Sequence, residues 1–312
     1  MALTAWRTFV TVCRLGSLSA AAAELGYTQS AVSRQIAGLE REVGVHLVDR
    51  HARGIRPTAA GEAFRQHAQA AVNEADRAVR AARDAREGSP ARSLAVGATP
   101  SLAAGLVPAA MRRLLDQAGP LPWQLVPGLT VELYERTADG ELDLALVTDA
   151  PPGLPGDSRL EREFLGTDEM VVVLPVSHRL AGAGSARIEE LADETWAEDN
   201  EGSAALLRQH AARAGVTARI DLNAADLPGK IALVATGHAI ALTPSVMVAT
   251  LRPDVTTLRL FDPPTRGIYS VRPRLDPHPS VQPLIRQIVE IISLDINADV
   301  TGWQAACPPR RR

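Results

Sequence analysis

Two glycine junctions close to the start constrain this chain more than any other feature. Gly16 is followed at once by Ser17, and Gly26 by Tyr27-Thr28. Glycine ends a helix readily because it takes left-handed backbone, and a Ser or Thr hydroxyl beside it can cap the next one. Leu3, Trp6, Phe9, Val10 and Cys13 recur at helical spacing, which predicts an amphipathic helix up to Gly16. Ser17 then caps a short helix over Ala20 to Leu25, and Thr28 caps a third from Gln29 to about Val43. Helix, tight turn, helix is a helix-turn-helix unit, whose second helix fits the major groove of DNA.

The third helix has two faces. Val32, Ile36 and Leu39 form an inward stripe, and Gln29, Ser30, Ser33 and Arg34 point away from it on the first turns. Those residue types suit a groove: Arg can fork onto guanine, Gln can pair with adenine, and Ser can reach phosphate. After Gly44 the segment Val45 to Pro57 reads as two extended pieces around an Arg-rich tip, a hairpin wing. Arg50, Arg53 and Arg56 there suit backbone or minor-groove contact. The expected DNA-contacting set is Thr28, Gln29, Ser30, Ser33, Arg34, Arg50, Arg53 and Arg56. Thr58 caps a long helix that runs to about Glu87 and stops at Gly88-Ser89-Pro90. Along it Phe64, Ala68, Ala71, Ala75, Ala78 and Ala82 follow a coiled-coil spacing. Such a seam of small residues predicts pairing with a second copy of the same helix.

Residues 3–64 resemble the winged helix-turn-helix domain of LysR-type transcriptional regulators. The likeness is carried without gaps by Phe9-Val10-Thr11-Val12, Gly16 to Ala22, Thr28 to Ile36, Leu39-Glu40, Leu47-Val48-Asp49-Arg50 and Pro57-Thr58-Ala59-Ala60-Gly61. The resemblance implies that Gln29, Ser33 and Arg34 face DNA. It also implies that the helix from Thr58 is a linker and dimerisation helix.

Past Pro90 strands alternate with helices, the pattern of a parallel α/β sheet. Leu94 to Ala98, Gln124 to Val126, Leu142 to Val147, Glu169 to Pro175 and Ile268 to Val271 read as strands. Leu102 to Gln117 and Val281 to Leu294 read as helices. Gly140-Glu141-Leu142-Asp143-Leu144-Ala145-Leu146, Leu174-Pro175 with His178, and Gly237 with Ile240-Ala241-Leu242 and Pro244 resemble the same family's effector-binding region. That region is similar to two-lobed periplasmic solute-binding proteins. The expected organisation is a DNA-binding domain over 1–58, a linker helix and hinge over 59–90, and an effector domain over 91–294. Within the last, one lobe takes 91–160 and 268–294 and the other 161–267; residues 295–312 are expected to be a disordered tail.

Ligands of open α/β sheets sit beyond the carboxyl ends of strands, where helix N-termini offer N–H groups. This nominates Thr99, Pro100 and Ser101, then Gly128 and Thr148, and from the second lobe Asn200, Ser203 and Thr243. Hydroxyls beside a helix start favour a carboxylate, and the scarcity of aromatic residues (4%) disfavours an aromatic effector.

The charge is divided in the same sense. Residues 1–90 hold twelve Arg and no Lys against nine acids, a balance of +3, and the rest carry −6. A basic first part suits a polyanion. The 312 residues contain two cysteines, Cys13 and Cys307, too few and too distant for a disulfide scaffold or a cysteine zinc site. No apolar run approaches a membrane span, no secretory signal is read, and a cytoplasmic location is expected. The seven histidines lack metal-ligand spacing, and no nucleophile elbow, P-loop or dinucleotide fingerprint occurs, so no enzyme and no cofactor is expected. A thiol sensor is disfavoured because Cys13 lies on the inward stripe of the first helix. A transport receptor would leave the wing and the groove helix unexplained. The expected partners are double-stranded promoter DNA, a small-molecule effector, a second copy in a homodimer or homotetramer, and RNA polymerase.

Overall fold

Caps written into the sequence place the first three helices, α1 (Leu3–Leu15), α2 (Leu18–Leu25) and α3 (Gln29–Val43). In a computed structural model describing residues 3–51, 54–86, 92–274 and 277–306, the Ser17 and Thr28 hydroxyls accept from the backbone N–H of Ala20 and Ala31. Phe9, Val12, Ala21, Val32, Ile36, Leu39 and Leu47 form the buried core between these helices. The wing is the antiparallel pair β1 (Val48–His51) and β2 (Gly54–Pro57), with Arg50 opposite Ile55. Thr58 links wing to helix, donating from its hydroxyl to the His46 carbonyl and accepting from Gly61 N–H at 2.9 Å. It thereby opens α4 (Ala59–Arg86), a single helix of 28 residues.

The first turns of α4 differ from their expected use. The Phe64 ring meets Trp6 and Phe9 edge to face at 5.3 and 5.5 Å, and Ala68 and Val72 are buried. Phe64 and Ala68 are therefore occupied within their own chain, because the four-residue spacing 64, 68, 72 turns that face to α1. Ala71 and Ala75 are half-buried, and Ala78 and Ala82 are exposed. The expected stop at Gly88-Ser89-Pro90 lies outside the described residues, as does the wing tip with Arg53.

Contacts divide the chain into two units, Met1–Arg92 with Ala138–Glu141, and Ser93–Thr137 with Leu142–Arg312. In the second, β3 (Leu94–Ala98) pairs in parallel with β4 (Trp123–Pro127) and with β5 (Leu144–Thr148). The expected helix after β3 is split into α5 (Pro100–Ala104) and α6 (Leu106–Ala118) at Gly105. α7 (Thr130–Ala138) leads toward β5. The next strand, β6, spans Leu160–Pro175 and starts at Leu160 rather than at Glu169. Its first part pairs with the final strand, β12, and Met170 to Pro175 pair with two others, so β6 belongs to both lobes.

The second lobe adds β7 (Ser185–Ala186), β8 (Thr195–Glu198), α8 (Glu201–Arg213), β9 (Arg219–Asn223), α9 (Leu227–Ala235), β10 (Ala241–Pro244) and β11 (Val255–Leu260). The chain then recrosses through β12 (Thr265–Pro273) and ends in α10 (Val281–Ala306). The main sheet has eight strands in the path β4-β3-β5-β12-β6-β11-β7, with β10 also on β6. It is mixed rather than parallel: β12 runs antiparallel to both β5 and β6. The two lobes keep separate cores, Leu94, Leu102, Met111, Leu144 and Ile288 in one, and Met170, Trp196, Leu207 and Leu258 in the other. α10 does not end at Leu294 but continues to Ala306, since the next proline that could stop it is Pro308. Residues 295–306 are thus helical rather than a disordered tail, and 307–312 lie outside the described residues.

Candidate functional site

On the first unit, packing of Val32, Ile36 and Leu39 inward leaves Gln29, Ser30 and Arg34 exposed on the first turns of α3. Arg34 Nε donates to the Ser30 carbonyl of its own helix at 3.3 Å, a weak contact that DNA could displace. Arg50 Nη2 donates to Ser33 Oγ at 3.0 Å, which ties the wing to the helix. Thr28 is exposed, but its hydroxyl is used as the helix cap. Arg56 is exposed on β2, opposite Asp49. Sequence reasoning passed over Glu40, whose carboxylate accepts from Leu47 and Val48 N–H at 2.8 and 3.2 Å and anchors the loop entering the wing.

In the second unit a cavity of about 260 Å³ opens between the lobes, at the small end of ligand sites. Six nominated residues line it: Thr99, Pro100, Ser101, Thr148, Asn200 and Ser203. Thr99 precedes α5 yet makes no side-chain capping bond, and its buried Oγ1 has no partner. Asn200 caps α8 by accepting from Ser203 N–H at 2.9 Å. A close approach fixes that end of the cavity: a Cβ on Gly202 would stand 2.6 Å from the Pro151 carbonyl oxygen, so only glycine brings α8 this near.

Two nominated residues are not on the cavity wall. Gly128 turns its N–H back to the Ala98 carbonyl and packs against Glu132 and Leu133; the following Leu129, Thr130 and Val131 line the wall instead. Thr243 lies inside β10, opposite Val171, and is fully buried. Successive strand residues face opposite sides, which puts Pro244 on the cavity in its place.

Charged residues on or behind the wall escaped sequence reasoning altogether. Lys230 of α9 is 1% exposed, with Nζ 3.1 Å from Glu198 Oε2 and 2.7 Å from Asp199 Oδ1. Burial pushes the Glu198 carboxyl upward toward its neutral form, which the Lys230 charge partly opposes. Arg266 of β12 grips Asp168 Oδ2 through Nε and Nη2 at 3.0 and 2.8 Å and reaches Ser101 Oγ at 2.9 Å. Only Lys230 had a legible signal, a lone charge in the apolar run Leu227 to Ala235. Asp168 and Arg266 sit on adjacent strands nearly a hundred residues apart, a pairing that no local pattern announces.

Two family models match in tandem: "Bacterial regulatory helix-turn-helix protein, lysR family" over residues 3–62 and "LysR substrate binding domain" over residues 87–292. The chain belongs to the LysR family. It is a LysR-type DNA-binding transcriptional regulator with a substrate-binding domain. Over 241 residues it is 32% identical to the HTH-type transcriptional regulator ShiR of Corynebacterium glutamicum, covering 75% of this chain and 80% of that one. The fold is similar to full-length LysR-family structures. A variant of OxyR from Pseudomonas aeruginosa gives a TM-score of 0.64 at 22% identity, over 92% of this chain and 94% of that chain. CbnR complexed with its target DNA gives 0.61 at 22% identity, over 95% of this chain and 100% of that chain. Among the described residues of this LysR protein no helix is long and apolar enough to cross a membrane, and no group of three His, Cys, Asp or Glu is placed to hold a metal ion.

Proposed function

We propose that this regulator binds its promoter as a homodimer, or as two dimers in a tetramer, and that a small-molecule effector in the interlobe cavity changes its hold on DNA. Gln29, Ser30, Ser33 and Arg34 enter the major groove, with Thr28 at the helix start. Arg50, Arg53 and Arg56 hold neighbouring backbone or minor groove. Thr99, Pro100, Ser101, Thr148, Asn200 and Ser203 contact the effector, and Gly128 and Thr243 support the wall from behind. The later turns of α4, with Ala71, Ala75, Ala78 and Ala82, pair with a second copy. The protein works in the cytoplasm, meets RNA polymerase at the promoter and performs no chemistry on its effector.

The observation that carries this reading is the unpartnered, buried Thr99 hydroxyl on a cavity whose wall is shared by both lobes. Such a group is costly unless something completes it. The test is fluorescence anisotropy of the protein on its upstream intergenic DNA, beside a scrambled duplex, across a salt titration. Preference for the intergenic duplex, with affinity falling steeply as salt rises, is expected. Absence of binding to any duplex at low salt would overturn it.

A further inference from the structure

Buried carboxyl groups around the cavity outnumber the buried cations. Of 33 basic residues only Lys230 is a lysine, and it is buried with two carboxylates, Glu198 and Asp199. Lys230 also donates to the Leu242 carbonyl at 3.2 Å. Arg266 is already paired with Asp168, whose other oxygen accepts from Ser245 Oγ at 2.9 Å. Three buried carboxyl groups, with Glu198 among them pushed by burial toward its neutral form, thus face two buried cations, and each cation is paired before any ligand arrives.

An anionic ligand would find no unpaired cation among the described wall residues, in surroundings of low dielectric where the penalty is large. Neither helix start relieves it. α5 has five residues, and the first turn of α8 carries Glu201 beside Asp199. Buried atoms without a hydrogen-bond partner include Thr99 Oγ1 and Asp199 Oδ1 on the wall, the latter in ion-pair contact with Lys230, and Thr243 Oγ1 and Glu198 Oε1 behind it; the Ser203 hydroxyl donates to Glu198 Oε2 at 2.6 Å. The apolar part of the wall, including Leu129, Met170 and Leu206, is free of aromatic rings among the described residues.

We infer that the cavity selects a small aliphatic molecule bearing an ammonium group, seated against Asp199 with Glu198 behind it, while Thr99 meets a second polar group. The inference rests on the cavity being the effector site. It departs from the carboxylate that the hydroxyls alone suggest, because buried charge outweighs one hydroxyl.

Calorimetric titration of the full chain with four probes of equal chain length tests it: pentylamine, L-norvaline, pentanoate and pentan-1-ol. The ammonium probes should bind roughly tenfold or more tightly than pentanoate and pentanol, the scale of a charge-assisted hydrogen bond. Norvaline ahead of pentylamine identifies an amino acid, and the reverse a simple amine; both support the inference. Asp199→Asn should abolish the ammonium advantage and leave pentanol unchanged. The ranking on the unmodified protein stands if that variant fails to fold. Pentanoate binding as well as pentylamine, or no binding by either ammonium probe at millimolar concentration, would overturn the ligand class. The DNA-anisotropy result needs none of these probes, so retained promoter preference beside pentanoate selectivity would sink this inference and spare the regulator reading.

Discussion

Arg34 stands exposed on the groove helix with only a 3.3 Å contact to its own backbone to give up, so its guanidinium is available to a base edge. Arg34→Ala should cost about 1–3 kcal/mol on the cognate site and relax specificity at one base pair. Competition anisotropy against single-base variants of the operator measures this, and an equal loss on every duplex would make Arg34 a phosphate contact. Cys13 illustrates the opposite case, a reactive group made inert. Burial pushes its thiol up to about 12, so on the order of one molecule in ten thousand carries the nucleophilic thiolate at pH 8. Iodoacetamide should leave the Cys13 peptide unmodified in the folded protein and label it fully in denaturant, as read by mass spectrometry. Rapid labelling of the native chain would contradict its placement against the α1–α4 core.

At the scale of elements, the junction of wing and linker helix depends on one absent side chain. A Cβ on Gly61 would stand 1.9 Å from the Leu47 carbonyl oxygen and 2.9 Å from its carbon, both backbone atoms that no rotamer change can move. Gly61→Ala should destabilise the DNA-binding unit by about 1–3 kcal/mol or more, seen as an earlier melting transition of the full chain. An unaltered melt would mean that the segment from His46 to Val48 yields freely. Elements bounded by caps were legible for the same local reason: Ser17, Thr28 and Asn200 each spend a side-chain oxygen on a helix start a few residues away. The length of β6 was not. Residues Leu160 to Thr167 become strand because β12 returns beside them from about a hundred positions later, and exposed Glu161, Arg162 and Glu163 show no apolar alternation to announce it.

For the whole molecule, the question is how two copies meet. Phe64 and Ala68 pack against their own chain, so the α4 pairing proposed above would use the later turns of the helix. A glutamate at an exposed seam position would place two like charges against each other in a close helix pair. Ala78→Glu should therefore shift the protein toward monomer in light scattering and weaken binding to a two-half-site operator while sparing a single half-site. Unchanged mass would move the interface away from α4.

What the amino-acid order determines by itself is local. The capped helix starts, the inward stripe of α3, its exposed Gln-Ser-Arg face and six residues that line the cavity follow from caps, periodicity and strand ends, all of which act within a few positions. The chemistry at the cavity was decided only by tertiary structure. Two strands shared by both lobes bring Asp168 to Arg266, and α9 folds Lys230 onto Glu198 and Asp199. Whether a charge is free to meet a ligand or already spent depends on which distant carboxylate is buried beside it, and burial is a property of the folded whole.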